Sequence, residues 1–256
     1  MNRLLIAAIV TVASQVHISA AEWADLKLTV TYDGPVPKLA ALNPPIPGPC
    51  AVARVPNQRM IVGAGGQIAN FALIMDMQKS KATDVHPDLV APPPKPLAID
   101  INNCAFTPHV AFARTGRRVI VTNKDACGHN VKVDPFSNKT FNSLVPVAGQ
   151  IEVMFKYSER SDFTEVACTI HPWIRGWLII RDHPYVGISG ADGVVTIEKL
   201  PVGKVSFKLA HQNARKWISE GKIDGKAARW RSGYIELDLK PGLNEHTIEL
   251  APSLFR

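Results

Sequence analysis

Long apolar runs are nearly missing from this chain. Apart from a short stretch at the N-terminus, nothing approaches the roughly 18 consecutive apolar residues that a membrane-crossing helix needs, so no span is expected after it. No segment before His211 keeps a 3.6-residue apolar period, which argues against a helical fold. Charged residues are scarce at 20% against 46% hydrophobic, a balance that excludes disorder. No Ser-His-Asp order, paired carboxylates or Gly-x-Ser-x-Gly stands in a convincing setting. Gly63-Ala-Gly-Gly66 lacks the strand-to-helix context of a phosphate loop. The chain is therefore not expected to be an enzyme. Its net charge of +7 is spread along the sequence. The one basic concentration, Lys216, Lys222, Lys226, Arg229 and Arg231, is read as a solvated face, with no nucleic-acid motif beside it.

The N-terminus reads Met1-Asn-Arg3, then apolar residues from Leu4 to Ala13, then small residues Ser19, Ala20 and Ala21. That order of basic, apolar and small residues is the pattern of a secretory signal peptide, assigned to residues 1–21. Export to the periplasm or the cell surface is expected.

Short β-branched runs punctuated by turns recur through the rest, a pattern of sandwiches or barrels. Leu26–Tyr32 alternates and ends at Asp33-Gly34-Pro35. Further strands are expected at 59–62, 68–75, 97–101, 109–113, 118–122, 130–133, 150–155, 163–168 and 177–181. After Asp182-His-Pro-Tyr185 the pattern restarts, with strands near 187–188, 194–197, 205–210, 233–239 and 245–250. The expected organisation is an all-β domain over 22–182 and a small β-sandwich over 183–256. Residues 213–229 are read as a short helix or an excursion between strands.

Only four cysteines are present, and in an exported protein they are candidates for disulfides. Cys50 and Cys104 have no histidine next to them and are read as a structural disulfide. Cys127 and Cys168 each lie within three residues of a histidine. Cys168-Thr-Ile-His171 sits between two expected strands, so a thiolate and an imidazole project from one tight loop. His129 opens another strand and can bring a third ligand. Two imidazoles and one thiolate in a trigonal array suit a blue-copper centre, tuned by a weak axial ligand.

These residues also resemble a family. Phe106-Thr-Pro-His109-Val, Arg114-Thr-Gly116, Asn123-Lys-Asp-Ala-Cys127-Gly-His129-Asn-Val, Cys168-Thr-Ile-His171-Pro-Trp173, Asp182-His-Pro-Tyr185 and Asp192-Gly193 through Leu200-Pro-Val-Gly203 are similar to the cupredoxins. The nearest likeness is to exported bacterial plastocyanin-like proteins often labelled methylamine utilisation proteins, and it runs from about Leu26 to His211. It implies a cupredoxin-like Greek-key sandwich, followed by a small sandwich resembling carboxypeptidase-regulatory or transthyretin-like modules. It further implies one copper ion per chain, electron transfer to a redox partner protein, and His171 as the solvent-side electron port.

Two departures stand out. The family usually has methionine after His-Pro-Trp, where this chain has Ile174, and the more general cupredoxin spacing would put it at Gly176. Cys127 replaces a small apolar residue; it could pair with Cys168, join the metal as a soft ligand or remain a buried thiol. His109 is a candidate fourth nitrogen ligand. The rival expectations are a metal-free scaffold used for binding, and copper storage or delivery through the same ligands.

Overall fold

The computed structural model describes residues 23–42, 50 and 55–256, so the signal-peptide assignment lies outside the described residues. The strands, in chain order, are β1 (Trp23–Tyr32), β2 (Ala72–Met75), β3 (Leu97–Asn102), β4 (Ala105–Thr107), β5 (Val110–Arg114), β6 (Arg118–Asn123), β7 (His129–Val133), β8 (Phe141–Val145) and β9 (Gln150–Met154). They continue as β10 (Thr164–Ala167), β11 (Arg175–Arg181), β12 (Val186–Ile188), β13 (Val194–Pro201), β14 (Gly203–Ala210), β15 (Glu220–Ile223), β16 (Lys226–Arg229), β17 (Tyr234–Leu239) and β18 (Gly242–Leu250). Helix among the described residues is confined to short 3-10 turns and Cys50. The all-β expectation holds.

Two sandwiches result. In one, the sheet β5-β11-β10-β7-β8 packs on β4-β3-β6-β9, burying Ile99, Ile101, Phe106, Val121, Val131, Val166 and Leu178 between them. In the other, β13-β1-β18-β15-β16 packs on β12-β2-β14-β17, burying Leu26, Leu28, Phe71, Tyr185, Phe207, Leu237 and Ile248. The alternation along β1 and β17 follows from one face being buried and the other wet. Every residue of β2 is buried instead. Leu73 and Met75 face the second core, while Ala72 and Ile74 join Val110, Ile179 and Ala210 in a contact between the two sandwiches.

The sheet pairing corrects the expected domain boundaries. β1 runs parallel to β18 over Ala24–Tyr32 and antiparallel to β13, and β2 pairs with β12 and β14. The N-terminal strands therefore belong to the second sandwich, not to a domain over 22–182, and the first sandwich is built from strands between Leu97 and Arg181. The expected break near 182 falls where β11 ends and β12 begins. The error has a simple origin, because the partners of β1 lie nearly the whole chain away. The excursion over 213–229 is resolved as the hairpin β15–β16 rather than a helix. Its basic residues are partly paired, Lys222 with Asp33 and Glu249 and Arg229 with Glu220.

Candidate metal centre

The site is built at one end of the first sandwich. The last pair between β10 and β11 is Ala167 with Arg175, so Cys168 to Ile174 form the connecting loop. The Cys168 N–H donates to the Ile174 carbonyl (3.1 Å), and the Ile174 N–H to the His171 carbonyl (2.9 Å). β7 lies beside β10, with Val166 opposite Val133 and Ala167 opposite Lys132. That antiparallel register brings the His129 end of β7 against the loop.

Asn130 locks the two together. Its side-chain oxygen accepts from the Thr169 N–H (2.8 Å), the Thr169 hydroxyl (3.1 Å) and the Ile170 N–H (3.1 Å). Its side-chain amide donates to Asn142 Oδ1 (2.8 Å), and its backbone N–H points at Cys168 Sγ (3.5 Å).

Three donor atoms converge as a result. His129 Nδ1 and His171 Nδ1 are 3.1 Å apart, and each is 3.7 Å from Cys168 Sγ. With metal–nitrogen bonds of about 2.0–2.1 Å and a metal–sulfur bond of about 2.3 Å, as for zinc, ligand atoms around one ion lie roughly 3–4 Å from one another. The three donors satisfy that condition as they stand. His129 Nε2 lies 3.0 Å from Asp125 Oδ2. With that nitrogen as the donor, the Nδ1 lone pair is turned toward Cys168 and His171, the tautomer a metal requires.

Burial lowers the pKa of both His129 and His171, with Asp125 offsetting part of the effect. Both rings are thereby held neutral, as ligands should be. His129 is fully buried, whereas His171 is partly exposed and packs its ring 5.2 Å from that of Trp173.

The turn before His129 carries Asp125 and Cys127. Asn123, itself buried, organises it by donating to the Cys127, Val145 and Pro146 carbonyls at 2.8, 3.1 and 3.0 Å. The Asp125 N–H donates back to Asn123 Oδ1 at 2.9 Å. The disulfide between Cys50 and Cys104 is formed, as expected, and Cys127 and Cys168 are free thiols rather than a second pair. Cys127 Sγ sits 3.5 Å from His129 Nε2. Burial, with Asp125 and Cys168 nearby, raises the pKa of this thiol. Cys50, Cys127, His129 and His171 also bring ligand atoms within 4.8 Å of one another. Cys50 is committed to a disulfide, however, and His129 Nε2 to Asp125, so the Cys168 set is the better donor group.

Neither expected axial position supplies a thioether. Ile174 is buried in the first core with Cys168. At Gly176 a Cβ would come within 3.1 Å of the Phe106 Cβ and 3.2 Å of the His109 carbonyl, so a side chain there would have to push its neighbours aside by a few tenths of an ångström. The described methionines lie elsewhere, Met60, Met75 and Met77 in or against the second core and Met154 exposed on β9.

His109 is placed outside the three-donor cluster. It lines a cavity of about 410 Å³ with Trp173, Trp177 and Gln212. Neither of its ring nitrogens has a hydrogen-bond partner. Burial pushes its pKa down to about 4. Sequence reasoning missed Asp125 and Asn130. Their signal was their position, four residues before His129 and one after it.

No family model matches the sequence, and no curated protein matches it. Among solved structures, the chain is similar to cupredoxins and to a copper enzyme, at low identity. The copper-containing nitrite reductase of Thermus scotoductus SA-01 aligns at 20% identity over 35% of this chain and 23% of its own, with a TM-score of 0.31. The match therefore spans about a quarter of that enzyme's length. A purple cupredoxin from Nitrosopumilus maritimus aligns at 22% identity over 33% of this chain and 98% of its own, with a TM-score of 0.28. An oxidised P96G mutant of amicyanin aligns at 17% identity over 33% of this chain and 81% of its own, with a TM-score of 0.30.

Proposed function

We propose that this chain is an exported copper-binding protein that carries single electrons through a mononuclear site held by His129, Cys168 and His171. The observation that carries the reading is the convergence of two imidazole nitrogens and one free thiol within 3.1–3.7 Å. A soft thiolate with two imidazoles suits copper better than the hard cations, and when bound the metal supplies a one-electron couple. The protein's share is to hold the donors still. Asp125 sets the His129 tautomer, Asn130 fixes the loop, and the strands on either side keep ligand positions constant through a change of metal charge. Partly exposed His171 is the side from which a redox partner protein would be reached.

Export is supported by the disulfide, which is rare in reducing compartments. No helix among the described residues is long and apolar enough to cross a membrane. The role is that of a carrier rather than a catalyst.

The test is a Cu(II) titration followed by visible absorption. One equivalent is expected to produce an intense thiolate-to-copper band that Cys168→Ser abolishes and Cys127→Ser keeps. A band that survives Cys168→Ser, or no band at all, overturns the proposal.

A further inference from the structure

We propose that Cys50, Cys104 and Cys127 form a thiol–disulfide exchange site beside the metal centre, in which the Cys50 sulfur has two alternative partners. Cys50 is bonded to Cys104, and the free Cys127 Sγ lies 3.4 Å from the Cys50 sulfur. A disulfide bond is about 2.05 Å long, so about 1.4 Å of travel separates this thiol from bonding. The other free thiol, Cys168, is occupied by Asn130, His129 and His171. Cys127 is thus the thiol that faces the disulfide.

The step balances within the molecule. The Cys127 sulfur attacks Cys50 Sγ, and the Cys50–Cys104 bond breaks as the Cys50–Cys127 bond forms. Cys104 leaves with the electron pair and takes up the proton that Cys127 gives away. One disulfide and one thiol stand on each side, so no oxidant or reductant is consumed.

The surroundings hold both exchanging cysteines in place. Asp125 Oδ2 accepts from the Cys104 backbone N–H at 3.0 Å, while Asn123 holds the Cys127 carbonyl at 2.8 Å. Asn103 and Cys104 both have positive φ, 53° and 56°, in the tight turn joining β3 to β4. The turn's strand pairing and its bond to Asp125 keep Cys104 in position whether or not it is bonded to Cys50. Asp125 also contacts His129 Nε2 at 3.0 Å, and Cys127 Sγ contacts the same atom at 3.5 Å. The two pairings therefore put a thiol or a disulfide sulfur against the ring of a proposed ligand.

No step in this exchange uses a metal, so it is tested on metal-free protein and its outcome is separate from that of the copper reading. In the full chain carrying Cys104→Ser, oxidised with glutathione, the expected product is a Cys50–Cys127 linked peptide, with Cys168 the only alkylated cysteine. Alkylation of both Cys50 and Cys127, or their linkage between chains, overturns the proposal. The unmodified protein gives a second measurement that does not depend on the variant's folding. After equilibration with a trace of reduced glutathione, acid quenching and alkylation, a population with Cys104 alkylated but Cys50 and Cys127 not is expected. That population falls to background in Cys127→Ala. If Cys104 is alkylated only in chains where Cys50 is alkylated too, the disulfide is merely being reduced and the proposal fails.

Discussion

His129 and His171 present their Nδ1 atoms to each other at 3.1 Å, yet one ring is fully buried and the other reaches solvent. The asymmetry predicts unequal responses to truncation. With His171→Gly, the copper band is expected to be lost and then restored by added imidazole, which can enter from the solvent side. With His129→Gly, no restoration is expected, because the vacated space is enclosed. That variant also removes the imidazole partner of Asp125, which keeps the Cys104 N–H, at a cost of about 1–3 kcal/mol. Equal rescue of both variants in a visible-absorption titration would refute this asymmetry.

Asp125 stands behind His129 in the same way that Asn130 stands behind the loop. Asp125→Ala removes the acceptor for both His129 Nε2 and the Cys104 N–H. Copper affinity should fall about 10–100-fold, the usual cost of losing such a supporting partner. Asn130→Ala strips three donors on the Cys168–Ile174 loop of their acceptor. A stability loss of at least about 1–3 kcal/mol is expected, since each unpaired donor in a part-buried loop carries a desolvation cost. Competition with a chelator measures the first effect and urea unfolding the second. An affinity unchanged in Asp125→Ala would mean that the carboxylate does not set the ring's tautomer.

Local pattern revealed most strands, because alternation and turn residues act over a few positions. The runs at 26–32, 97–101 and 118–122 lie within β1, β3 and β6. The short strands β4, β8, β15 and β16 carry little or no apolar alternation and went unseen. Pairing was the harder problem. Nothing in Trp23–Tyr32 says that its neighbours are Val194–Pro201 and Gly242–Leu250. At the site, Cys168-Thr-Ile-His171 was legible because its ligands share one loop. The meeting of Cys127 with Cys50 was not, since 77 positions separate them and only the folded turn at Asn123 brings them together.

Ile174 occupies the position where the family resemblance expects a sulfur. Ile174→Met roughly conserves volume in the core, so its stability cost should stay below about 1.5 kcal/mol. Its backbone bonds to Cys168 and His171 do not depend on the side chain. The expected outcome is a correctly folded variant whose thiolate-to-copper band and reduction potential both move, because the axial ligand tunes such sites. Identical spectra and potentials in the two proteins would show that the side chain at 174 does not reach the metal.

Acid sensitivity follows from three histidines outside the metal centre. His109, His183 and His211 are all buried, and burial brings each pKa down from 6.5 to about 4. His211 is committed to the neutral form, its Nε2 placed to donate to the Ala69 carbonyl while Nδ1 accepts from the Asn213 N–H. Because the unfolded chain binds protons first, stability is fully present above about pH 6.5 and is lost as pH falls toward 4. Each such group contributes a slope of about 1.4 kcal/mol per pH unit inside that window, so the three together approach 4. Asp162 works in the opposite direction, since burial raises its pKa and protonation relieves that cost. The histidines outnumber it, and the urea midpoint is expected to fall steeply between pH 7 and pH 5 in metal-free protein. His183→Asn should flatten the slope by one histidine's share, which is less than a third because His129 and His171, also lowered by burial, titrate in the same direction in metal-free protein. A midpoint that stays level across this range would mean that these rings are protonated in the folded chain.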